Sequence, residues 1–70
     1  MTPSDEELHG ACRNGDLSLV QKALKPSLFK KKADIDSRNP YGESPLTIAL
    51  ASGFPEIAEW LMREGADLST

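Results

Sequence analysis

Three side chains near the start of the chain have the types and spacing of a nucleophilic site. His9 and Cys12 lie three residues apart, and Asp5 lies four before His9. On a helix those separations place side chains on one face. A carboxylate, an imidazole and a thiol would then stand as orienter, base and nucleophile. Such a site also requires a pocket and donors for an oxyanion. The plainer reading is structural, with Cys12 as a small apolar residue on a buried helix face. One His and one Cys in 70 residues cannot form an internal disulfide or a four-ligand zinc site of the usual kind. We therefore expect no catalytic residues, no metal and no cofactor.

Other residues have the chemistry of binding. Lys25 and Lys30-Lys31-Lys32 could hold a phosphate or an acidic protein, although lysines on a loop are also an ordinary solubility device. Leu28 and Phe29 beside them must fold back on the chain or face a partner, and folding back is the expectation. Trp60 is the sole tryptophan; it reads as an edge-of-core residue or as an aromatic anchor. Gly10, Gly15, Gly42, Gly53 and Gly65 are spread as punctuation and form no phosphate loop. Asp5-Glu6-Glu7 is charge at a helix start.

The elements that must position these residues are short helices with marked ends. Ser44 is a good N-cap, and Pro45 follows at the first helical position, where its missing N–H costs nothing. Leu46, Ala49 and Leu50 give one apolar stripe, and Gly53 ends the helix with a left-handed cap. Pro55 opens the next helix, whose stripe is Ile57, Ala58, Leu61 and Met62, and Gly65 stops it. Upstream, Ser4 with Glu7 fits a capping box, with Thr2 and Asp5 as a competing frame. Leu8, Ala11 and Cys12 form that helix's stripe, and Gly15 ends it. Asp16 can cap a following helix with Leu17, Val20 and Leu24 on one face, Leu19 and Ala23 beside them, and Pro26 as its stop. Isolated helices this short are marginal in water, so they must pack on one another.

The two helix pairs repeat. At a shift of about 38 residues Leu8 falls on Leu46, Ala11 on Ala49, Gly15 on Gly53 and Leu24 on Met62. Ala33-Asp34 falls on Ala66-Asp67 at a shift of about 33, so the first unit carries an insertion of about five residues near 26–32. Ser44-Pro45-Leu46-Thr47-Ile48-Ala49 closely resembles the T-P-L-H-x-A motif of the ankyrin repeat. Gly53, Leu61-Met62 and Gly65-Ala66-Asp67 resemble the remainder of that repeat's pattern. His9 lands where that family keeps its histidine, while Glu6-Glu7 replaces the usual Thr-Pro, as suits a terminal repeat whose outer face meets water.

The resemblance implies an all-α fold: an ankyrin helix-turn-helix solenoid of two stacked helix pairs with a finger-like turn between them. Residues 1–70 would form one unit, with 4–38 the first, capping-like repeat and 39–70 the second. The histidine would bond backbone in the neighbouring turn. The finger would be built on Ser37-Arg38-Asn39-Pro40-Tyr41-Gly42, where Asn39-Pro40 and Tyr41-Gly42 are turn signals. The family binds proteins through finger tips and first helices. Carried over, that concave surface is Arg38, Pro40, Tyr41, Glu43, Ala51 and Ser52, with Arg13 and Asn14 from the first repeat and Glu64 at its margin.

Bulk properties narrow the partners. The net charge of −3 gives no reason to expect nucleic acid or an anionic membrane. No apolar run approaches the roughly 18 residues of a membrane span. The acidic, polar start is unlike a secretory signal, so a cytoplasmic or nuclear setting is expected. Repeat arrays generally need about three repeats with capped ends. The expectation is a protein-binding module forming the N-terminal part of a larger protein, with further repeats C-terminal to Thr70. The alternative is a homo-oligomer, or an assembly module that docks through its open end around Trp60, Leu61 and Met62.

Overall fold

A computed structural model describes residues 3–25 and 32–66. The described residues form four helices and no strand: α1 (Pro3–Asn14), α2 (Leu17–Ala23), α3 (Pro45–Ala51) and α4 (Pro55–Arg63). α1 packs with α2 and α3 with α4, each as a helix hairpin, and α1 lies against α3. This is the expected pair of stacked helix hairpins. Residues 26–31 and 67–70 lie outside the described residues, and with them the expectations for Pro26, Leu28, Phe29, Lys30 and Lys31.

Local signals set most of the ends. Asp16 Oδ1 accepts from the N–H of Leu19 at 3.0 Å and starts α2. Ser44 Oγ accepts from the N–H of Thr47 at 3.3 Å and starts α3, with Pro45 next. Each side chain satisfies one N–H that has no partner inside its helix. Gly15, with φ +77°, turns α1 into α2 in a conformation that costs an L-residue about 1–2 kcal/mol. It has a second duty: a Cβ there would sit 2.6 Å from the Phe54 ring. The described part of α1 begins at Pro3, so Ser4 lies inside the first turn, and Thr2, the cap of the competing frame, lies outside the described residues.

The core runs through both hairpins. Leu8, Cys12, Val20 and Leu61 have no exposed surface, and Ala11, Ala49 and Ala58 almost none. Each fully buried Leu or Val contributes about 1.5–3 kcal/mol relative to exposure. Small residues at 11, 49 and 58 let the helices approach closely. Two expected stripe positions face outward instead. Leu50 is 58% exposed and Met62 42% exposed, while Ile48 is buried in the place expected for Leu50. Helical spacing permits either side of α3 to be covered; packing in the folded chain covers the side that carries Ile48.

Candidate binding surface

The finger is built on one side chain. Asn39 Oδ1 accepts from the N–H groups of Tyr41 and Glu43, each at 2.9 Å, and Asn39 Nδ2 donates to Glu43 Oε1 at 3.0 Å. The Asn39 main chain closes the same turn, donating to Glu43 O and accepting from Gly42 N–H. Arg38 Nη1 donates to Gly42 O at 2.9 Å. Asn39 is itself buried, so its side chain acts as a template around which the turn folds. Tyr41 stands on that template with 86% of its surface exposed.

Four of the expected contact residues, Arg38, Pro40, Tyr41 and Glu43, thus belong to one hydrogen-bonded turn. Glu43 is half-buried and the other three are exposed. Arg13 and Asn14 are exposed at the C-terminal end of α1; Ala51 and Ser52 are exposed at that of the adjacent α3. Glu43 lies just before α3 and Ser52 just after it, so the two groups are separated by the length of α3, about 10 Å at 1.5 Å per residue. Glu64 is placed elsewhere: it lines a groove of about 340 Å³ with Leu24, Lys32, Ala33, Asp34 and Ile35.

The base of the finger is tied to α1 by residues first suspected of catalysis. Asp5 Oδ1 accepts from the Asp34 N–H at 2.8 Å. His9 Nε2 lies 3.1 Å from Ser37 O and 2.9 Å from Ser37 Oγ. A carbonyl oxygen only accepts, so Nε2 carries the proton and the neutral ring has its lone pair on Nδ1. That matches the role expected for this histidine. Cys12 has no exposed surface, and burial pushes its thiol up to about 11. A thiol so held is not a nucleophile at neutral pH. Asp5 and His9 therefore form a strut between α1 and the finger, and Cys12 belongs to the core. Among the described residues no group of three or more His, Cys, Asp and Glu side chains could hold a metal. No described helix is long and apolar enough to cross a membrane.

At the other face, Leu61 cannot be a contact as expected, because it has no accessible surface. Trp60 is half-buried and packs on the core. Met62 remains open, and Leu50 joins it as an apolar residue that helical spacing alone had placed in the core. Sequence reasoning placed Asn39 and Ser37 in the finger but missed the Asn39 side chain as its template, Ser37 as the partner of His9, and the Asp5–Asp34 bond. For Asn39 the Asn-Pro dipeptide is a usable signal; for the other two only proximity in space reveals the pairing.

Comparison with known proteins agrees with this geometry. A family model described as ankyrin repeats (3 copies) matches residues 5–70. The chain is 41% identical over 64 residues to a putative ankyrin repeat protein of Rickettsia bellii, covering 90% of this chain and 38% of that protein. It is 42% identical over 60 residues to human protein phosphatase 1 regulatory subunit 27, covering 86% of this chain and 36% of that protein. It is 32% identical over 68 residues to ankyrin repeat domain-containing protein 29 of Danio rerio, covering 97% and 22%. The chain thus spans well under half the length of these curated relatives.

Proposed function

The chain belongs to the ankyrin repeat family, and on that premise we propose that its two repeats present a rigid concave surface to a protein partner. The surface runs from the Tyr41 finger, with Arg38, Pro40 and Glu43, along α3 to Ala51 and Ser52, and takes in Arg13 and Asn14. The observation that carries this reading is the exposed Tyr41 on a turn fixed by a buried Asn39. A large aromatic on a backbone already fixed before binding gives up less entropy on contact, and aromatics are enriched among interface hot spots. The role is recognition without catalysis, in a cytoplasmic or nuclear setting, with no part for nucleic acid or membrane. A relative whose name makes it a phosphatase regulatory subunit fits a module that acts on another protein.

Site-specific photo-crosslinking tests the surface. A photoreactive side chain at Tyr41 or Ala51 is expected to capture protein from cell extract in higher yield than one at Ser18 or Lys22 on α2. Equal yields from the two sets would sink the concave reading.

A second reading is favoured by one observation. Cys12 and Leu50 occupy equivalent positions, yet Cys12 is fully covered and Leu50 is 58% exposed. Docking or self-association through the Leu50 and Met62 end would cover them. A melting temperature that rises with protomer concentration is its signature for self-association; an invariant one removes that form of it.

A further inference from the structure

His9 has an unused atom. The residue is 2% exposed, and its Nδ1 is buried with no hydrogen-bond partner among the described residues. A neutral ring tolerates this, since Nδ1 then holds only a lone pair. A protonated ring does not: it adds a buried N–H with no acceptor, beside the loss of hydration that any buried charge suffers. We propose that His9 is a proton-sensitive latch that holds the finger base, at Ser37, against α1, and that uptake of one proton at Nδ1 opens it.

The surroundings set the balance. Asp5 and Arg13 approach the ring from α1, one turn to either side, and Glu43 approaches from the finger. The bond to the Ser37 backbone and the two carboxylates favour a charged ring, and Arg13 opposes it. Both carboxylates are engaged elsewhere, Asp5 with Asp34 N–H and Glu43 with Asn39 Nδ2. Burial, the largest influence, outweighs the Ser37 bond and both carboxylates together and holds the imidazole below its ordinary value. The second repeat solves the same position differently. Thr47 stands where His9 stands in the first repeat, and its hydroxyl lies 3.2 Å from Ser44 Oγ. That pair does not titrate, so proton sensitivity belongs to the first repeat alone.

The direction comes from linkage. The latched ring has a lowered pKa, and a released ring returns to about 6.5. Above that value both states are neutral and the latch is at full strength. As pH falls below it the released state takes the proton first. The opening constant then rises by up to about tenfold per pH unit, and levels off below the latched pKa. Weaker partner binding at acid pH would result if the finger binds as proposed above. The latch itself does not depend on that reading, and its test uses no partner.

His9 is the only histidine, so its ring resonances are unambiguous. Imidazole nitrogen spectra and amide exchange of the intact chain are recorded between pH 5 and 7.5. The expected result is an Nε2–H tautomer at pH 7.5 and a titration midpoint below 6.5. Amide protection at Asp34, Asp36 and Ser37, corrected for intrinsic exchange rate, should be constant above about 6.5 and fall by up to about tenfold per unit below it, while Ala49 and Ala58 stay protected. In His9→Thr, which copies the second repeat's residue, the pH dependence at these three amides should vanish. If that variant does not fold, the wild-type ring and amide data decide. An Nδ1–H tautomer, a midpoint at or above 6.5, pH-independent amides at 34–37, or core amides opening together with them would each overturn the latch.

Discussion

The first and second repeats share one plan and differ in what lies on each side of them. Leu8 and Leu46, Ala11 and Ala49, and Val20 and Ala58 are equivalent pairs, and all are buried. Two other pairs part company. Cys12 has no exposed surface while Leu50 is 58% exposed, and Leu24 packs against the core while Met62 is 42% exposed. The second repeat sits on the first and covers one face of it; no described residue covers the corresponding face of the second. On the opposite side, Gly10 stands where the second repeat has Ile48. Ile48 is buried, whereas a Cβ at Gly10 would meet nothing within 4 Å. The first repeat thus carries a glycine where the second has a buried isoleucine, and the second leaves Leu50 and Met62 exposed. Burial in a repeat protein belongs to the neighbour as much as to the residue.

Charge placed at the equivalent positions 12 and 50 is the strongest way to break that comparison. Cys12→Glu should cost on the order of 3 kcal/mol or more, since it buries an unpaired carboxylate, and a chain this small should unfold. Leu50→Glu should change the stability of the lone chain by less than about 0.5 kcal/mol. Similar losses from both in thermal unfolding would mean that the Leu50 face is covered in solution.

Gly15 and Gly53 sharpen it next. Both have positive φ, near +80°, but only Gly15 faces the Phe54 ring. Gly53→Ala should lose about 1–2 kcal/mol from the left-handed backbone alone. Gly15→Ala should lose a further kcal/mol or so, about the lower end of what overpacking costs. Equal urea midpoints for the two would show that Phe54 moves aside without penalty.

The helix caps differ less. Ser44 is buried and Asp16 exposed, each capping a helix of seven residues. Ser44→Ala should cost about 1–2 kcal/mol and Asp16→Ala about 0.5–1 kcal/mol, measured by the same unfolding curves. The smallest effect concerns pH. Because burial lowers the His9 pKa, the stability this group contributes is complete above about 6.5 and declines as pH falls below it. In His9→Thr that decline should be absent from the melting temperature between pH 5 and 7.5. A decline of the same size in the variant would assign it to the carboxylates.

Much of this molecule is determined within a few residues at a time. A cap joins a side chain to an N–H three positions on, a glycine turn depends on its own φ, and an Asn-Pro pair builds its own loop. Ser44, Asp16, Gly53 and the Asn39–Gly42 turn were legible in the sequence for that reason, and so were the helical stripes, the repeat and the family resemblance. Tertiary structure alone decided which edge of each stripe is covered. It turned Leu50 outward and Ile48 inward, buried Leu61 beyond any partner's reach, and left Met62 open. It also decided what Asp5 and His9 do, because their partners Asp34 and Ser37 are 29 and 28 residues away along the chain. Helical periodicity fixes which side chains share a face, but coverage and long-range hydrogen bonds depend on which element packs there, and that is a property of the assembled fold.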